Sequence, residues 1–186
     1  DQRKSVVKYD DVINRHRKAV YAMRREILRS TDISKRIKIL VEEEAHALAT
    51  STLVSSDQFE DALKEVFPLD EATLDRLFDS DATKFEKVLK TEAAELYSTR
   101  ELAFTVEIMR KVERDIYLQV LDNLWMQHLE NMDHLREGIH WMSVGQQDPL
   151  VEYRRQGQLL FDDMQMSLRH DTLRSLFHAQ PISQED

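Results

Sequence analysis

An all-α fold is predicted for this 186-residue chain, and three observations predict it. Glycine and proline number only three each, far below their usual shares of about 7% and 5%, so tight turns and phosphate loops must be scarce. Apolar residues recur at three- and four-residue steps along most of the length. Ser, Thr or Asp stands ahead of most of these runs, where a helix cap belongs. The layout is a long antiparallel helical hairpin packed with a further long helix, plus a small helical sub-bundle.

The first helix reads from about Ser5 to Arg29. Val6, Tyr9, Ile13, His16, Val20, Met23 and Ile27 form a narrow seam with a 3.5-residue repeat, suited to one or two partner helices. Within it, Val6, Ile13, Val20 and Ile27 are the candidate packing residues. Ser30, Thr31 and Asp32 offer caps for a second helix whose face is Ile33, Ile37, Leu40, Val41, Ala45 and Leu48. Thr50 to Ser56 reads as a loop. Asp57 with Glu60 resembles a capping box and opens a short helix with Phe59, Leu63, Val66 and Phe67, which Pro68 stops. Asp70 starts another, with Leu74, Leu77 and Phe78 inward, and Asp81 the next, with Phe85, Val88, Leu89, Leu96 and Tyr97.

Ser98 with Glu101 is a further capping box, opening the longest periodic stretch, Leu102, Ile108, Val112, Ile116 and onward to Ile139. About forty residues at 1.5 Å each make a rod of about 60 Å. Gly138, Gly145 and Gly157 lie within twenty residues of each other, with Pro149 among them. Gly138 weakens the rod's last turn, and Gly145 is free to take positive φ in the turn that follows. Asp148-Pro149 restarts a helix, Asp as cap and Pro at its first position, which runs to about His178 with Tyr153, Leu160, Phe161, Met164, Leu168, Leu173, Leu176 and Phe177 inward. The divisions are thus 1–29, 30–97, 98–178 and a tail, 179–186.

Charge separates the same segments. Residues 1–29 carry a net +5 and residues 30–97 a net −8, within a whole-chain charge of −9. A basic helix diluted by Asp10, Asp11 and Glu26 in an acidic molecule is a poor phosphate binder, so no nucleic-acid partner is expected. There is no cysteine, no membrane-length apolar run and no signal peptide. Neither G-x-x-x-x-G-K-[ST] nor G-x-G-x-x-G occurs, so no nucleotide cofactor is expected within these residues. His128, His134 and His140 sit six apart, which turns the helix face by about 240°, so no metal site is expected either. Glu42, Glu43 and Glu44 read as a solvated face, and no catalytic residues stand out.

The hairpin turn, Ile139 to Gln147, is the remaining candidate. Connections are normally polar. This one carries Trp141, Met142, Ser143, Val144 and Gly145, a composition suited to contact with a partner protein.

Several strings resemble the SecA family, the ATP-driven motor of the bacterial preprotein translocase. They are Tyr9-Asp10-Asp11-Val12-Ile13-Asn14, then Leu118 to Trp125 with His128-Leu129, and Met132 to His140. Gln146, Asp148-Pro149 and Glu152-Tyr153-Arg154-Arg155 extend the likeness. It covers nearly the whole chain and is weakest over 30–97. It lapses at the tip, where the family has arginine, glycine and an aromatic at the positions of Met142, Ser143 and Val144.

The resemblance implies that 1–29 is the end of a scaffold helix, 30–97 a helical wing domain and 98–178 the two-helix finger. It implies that the finger tip meets the SecYEG channel and the unfolded preprotein. ATP and Mg would then belong to nucleotide-binding domains absent here, which are further partners of these helices. A homodimer is another association that exposed seams would allow. The setting it implies is cytoplasmic, peripheral at the inner face of the plasma membrane. A first residue of Asp rather than Met points the same way, to a piece of a longer protein. The contrasting reading is a stand-alone helical interaction module with no motor.

Overall fold

The computed structural model describes residues 2–55, 57–142 and 148–181. Among these the chain is all-helical and has no strand. The helices are α1 (Gln2–Arg29), α2 (Ser34–Ala49), α3 (Phe59–Val66), α4 (Glu71–Phe78), α5 (Phe85–Phe104), α6 (Val106–Met142) and α7 (Pro149–His178). Thr52–Ser55 forms a 3₁₀ turn inside the expected loop. No described helix is long and apolar enough to cross a membrane. The chain divides into two compact units, Asp1–Arg29 with Leu118–Leu168, and Ser30–Tyr117 with Arg169–Asp186. The stretch 98–178 contributes to both.

In the first unit three helical segments pack around one seam. Ile139 lies with Tyr153, Met132 lies against Gly157, and His128 lies beside Phe161. Pair numbers that fall along one helix as they rise along the other mark an antiparallel pairing of α6 and α7. Tyr9, Val12 and His16 of α1 meet those same levels in rising order, so α1 runs parallel to α7. The approach is close at Gly157, where a Cβ would stand 2.8 Å from the Met132 methyl and 3.7 Å from Val12, so the Met132 side chain would have to shift to admit one. Val20 and Ile27 are fully buried and Ile13 half-buried, but Val6 is 47% exposed and lies off the packed part of the seam.

In the second unit α2 and α5 pack antiparallel, as His46 beside Glu86, Glu42 beside Lys90 and Lys38 over Tyr97 show. Phe59, Leu63, Val66 and Phe67 are buried, Phe59 lying 5.7 Å from Phe85 of α5 and Phe67 meeting Phe177 of α7 edge-on at 5.3 Å between ring centres. Asp70 caps α4 as expected, accepting the Thr73 N–H at 2.7 Å. Asp32 accepts the Ser34 N–H, although Ile33 occupies the cap position itself.

Several expectations fail here. Asp57 does not cap α3, which starts after Gln58 with no side-chain cap. Phe78 is half exposed, meeting Phe59 edge-on and Phe85 at a tilt, with ring centres 6.2 and 6.4 Å apart. Ser98 does not open the long helix: its hydroxyl and that of Thr99 bond back to the Ala94 and Glu95 carbonyls, inside α5. Burial of Ala93, Tyr97 and Phe104 on one face carries α5 through the local cap signal. The break falls at Thr105, with φ 70° and ψ 152°. Leu102 lies off the buried face of α5 and is 81% exposed, and the new phase after the break leaves Ile108 half exposed and buries Met109 instead.

Candidate contact site at the α6–α7 end

The last turn of α6 and the first of α7 are anchored before the chain reaches the turn between them. Ile139 and Tyr153 are buried in one cluster with Tyr9 and Met132, and Leu135 and Leu150 pack against it. The Tyr9 ring sits 4.9 Å from that of Tyr153 and 6.1 Å from that of His140. Arg136 lies over the Tyr9 ring at 5.1 Å and donates to Asp10 at 3.2 Å. Asp148 caps α7, its side chain accepting the Leu150 N–H at 3.0 Å, with Pro149 at the first helical position. Glu152 accepts from Arg155 and Gln156, and those bonds hold its carboxyl down at about 2.

The anchored end presents Trp141 to solvent. That side chain is 85% exposed, in the last turn of α6. Met142 closes the helix, while its side chain and all of Ser143, Val144 and Gly145 lie outside the described residues, as does the positive φ expected of Gly145. Below the anchor, Arg24 of α1 donates to both carboxylate oxygens of Asp122 at 2.9 and 3.4 Å. Tyr21, Leu28 and Met126 stay exposed beside this pair.

Sequence periodicity missed the polar members of the core. On α6 the buried positions step through Met109, Glu113, Tyr117, Leu121, Trp125, His128 and Met132. Glu113 and His128 occupy seam positions, and that spacing was the available signal. Glu113 accepts from Tyr97 at 2.5 Å and pairs with Arg110 at 3.1 Å, while Arg110 also pairs with Glu101. This group bridges α5 and α6 on either side of Thr105. Burial raises the Glu113 carboxyl and the Tyr97 phenol.

Glu44 departs furthest from expectation. It is 3% exposed, not part of a solvated face, and takes bonds from Arg169 at 2.6 Å and His170 at 2.8 Å. Burial pushes its carboxyl up, but the bonds from His170 and Arg169 outweigh that and leave it below its usual range, while His170 is raised in turn. Of the three evenly spaced histidines, His128 is buried and His134 and His140 are exposed, so they do not converge. No group of three His, Asp or Glu suited to a metal occurs among the described residues.

Long helices packed side by side, with an exposed tryptophan in the last turn of α6, define a helical scaffold. Sequence comparison gives the family. Residues 1–180 match the family described as the SecA Wing and Scaffold domain, and the chain belongs to it. It is 32% identical over 194 residues to Protein translocase subunit SecA 1 of Thermobifida fusca, covering 96% of this chain and 20% of that protein. It is 34% identical to Protein translocase subunit SecA of Syntrophobacter fumaroxidans, covering 96% and 22%. With that of Gloeobacter violaceus it shares 36%, covering 97% and 20%. The chain therefore spans about a fifth of the length of these relatives.

Proposed function

We propose that these residues are the scaffold and wing portion of a translocase motor that drives unfolded preproteins through the SecYEG channel. On this reading ATP and Mg²⁺ are handled by domains outside the 186 residues, and the protein works at the cytoplasmic face of the plasma membrane. The end of the α6–α7 pair meets channel or polypeptide. Its chemistry is apolar, supplied by Trp141, Met142 and Val144, because no basic residue lies between Trp141 and Gln147.

The observation that carries the reading is the exposed Trp141 on an anchored helix end. A large apolar side chain left in water beside a packed core marks a contact surface rather than a core residue. The anchor matters for mechanics too. Packed helices resist compression, so a displacement applied to them reaches the tip with little loss.

These 186 residues contain no cysteine, so a cysteine placed at Val144 is the single one in this part of the protein and serves as a cross-linking probe in an assembled translocase. Adducts with channel or preprotein that depend on ATP are expected. Adducts at a control site such as Lys111→Cys, with none at Val144 or Trp141→Cys, would overturn the tip assignment.

A further inference from the structure

Half-way along the first unit, His16 of α1 and His128 of α6 share a hydrogen bond, Nδ1 to Nε2, at 2.9 Å. Both rings are buried. Phe161 of α7 stacks flat on His16, 4.4 Å between centres and 6° between planes, and Trp125 lies 5.7 Å from His128. The titratable groups facing the pair are few: His16 sees His128 and Asp162 of α7, and His128 sees His16. The outer nitrogen of His128, Nδ1, is buried with no partner.

We propose that the His16–His128 pair is a proton-sensitive fastener that holds α1, α6 and α7 together when neutral and loosens them on acidification. The bond needs one N–H and one lone pair. Two neutral rings supply both. A first added proton is tolerable on His16, where Asp162 lies near and the Phe161 face accepts a cation. The bond then survives, with His16 as donor. A second proton must occupy His128. With His16 as donor, neutral His128 already carries its hydrogen on Nδ1, so the second proton goes onto Nε2 and would turn a hydrogen toward the hydrogen on His16. Burial disfavours both charged forms, and His128 is pushed down to about 4.

The sign follows from linkage. Both pKa values lie below the unfolded value of 6.5, so the unfolded chain binds more protons at acid pH. The contribution is whole above 6.5 and is lost as pH falls toward 4. Each proton taken up on opening raises the opening constant about tenfold per pH unit.

The test uses the whole chain carrying Trp141→Phe, so that Trp125 alone reports the first unit. Urea unfolding followed by Trp125 fluorescence from pH 8 to 4.5 should show a flat midpoint above 6.5 and a falling one below. His16→Gln and His128→Gln should each reduce that slope. Imidazole NMR titration of the unsubstituted chain keeps the test valid if a variant fails to fold. Two buried rings titrating below 6.5, in step with loss of Trp125 protection, are expected. Both rings titrating near 6.5, or a pH slope unchanged in a folded variant, would overturn the proposal.

Discussion

Replacing Thr105 with glycine should stabilise the second unit. Thr105 joins α5 to α6 with φ 70° and ψ 152°, a region that is open to glycine and strained for a β-branched residue. That strain costs about 1–3 kcal/mol. The Thr105 side chain is exposed, so its removal forfeits no packing. Glycine's greater freedom in the unfolded chain takes back about 0.5–1 kcal/mol. The net gain is about 1 kcal/mol, or about 2–4 °C in the melting of a domain this size. Calorimetry gives the shift, and hydrogen exchange over residues 85–117 assigns it to this unit. Thr105→Ala is the control, because its Cβ keeps most of the strain and its melting should stay near the parent's. A glycine variant that melts below the alanine variant would refute the reasoning, since only the entropy term would then remain.

Two further predictions concern burial and helix propensity. Arg169→Ala leaves the Glu44 carboxylate buried with His170 alone, and should cost toward the lower end of about 3–5 kcal/mol in urea unfolding. Adding Glu44→Gln should recover part of that loss, and no recovery would mean that the charge is not the cause. Gly138→Ala places a methyl where no atom lies within 4 Å, and should raise stability by about 1 kcal/mol in a thermal melt. At Gly157 the same methyl meets Met132, so the gain there should be smaller, and an equal gain would contradict the close packing of these helices.

The helices were legible because their burial is periodic. Val20, Ile27, Leu63, Leu77, Leu89, Tyr153 and Leu173 were all placed inward by spacing, and all are buried. The cap signals were less informative. Asp70 and Asp148 act as read, but Ser98 and Asp57 do not, because a local hydrogen bond of about 1 kcal/mol yields to the burial of a helix face. Thr105 could not be read at all: its positive φ is imposed by packing on a residue type that disfavours it. Glu44 was misjudged because polarity was taken for exposure, and neither Glu113 nor His128 was placed in the core, although each of the three has its partner on another helix. At the candidate contact site, composition singled out Trp141, and its side chain is exposed while Ile139, two positions earlier, is buried.

The acidic segment 30–97 looks like a self-contained insertion in the sequence, yet its charge and core are completed from far along the chain. Glu44 is answered by residues 169 and 170, Glu65 by Arg174, and Phe67 by Phe177. Recombination that exchanged only the insertion between relatives would strand a carboxylate and open a hole in the core. A viable exchange needs two crossovers that carry the end of α7 along with it. Inheritance of this unit is thereby tied to a helix that one would otherwise assign to the hairpin.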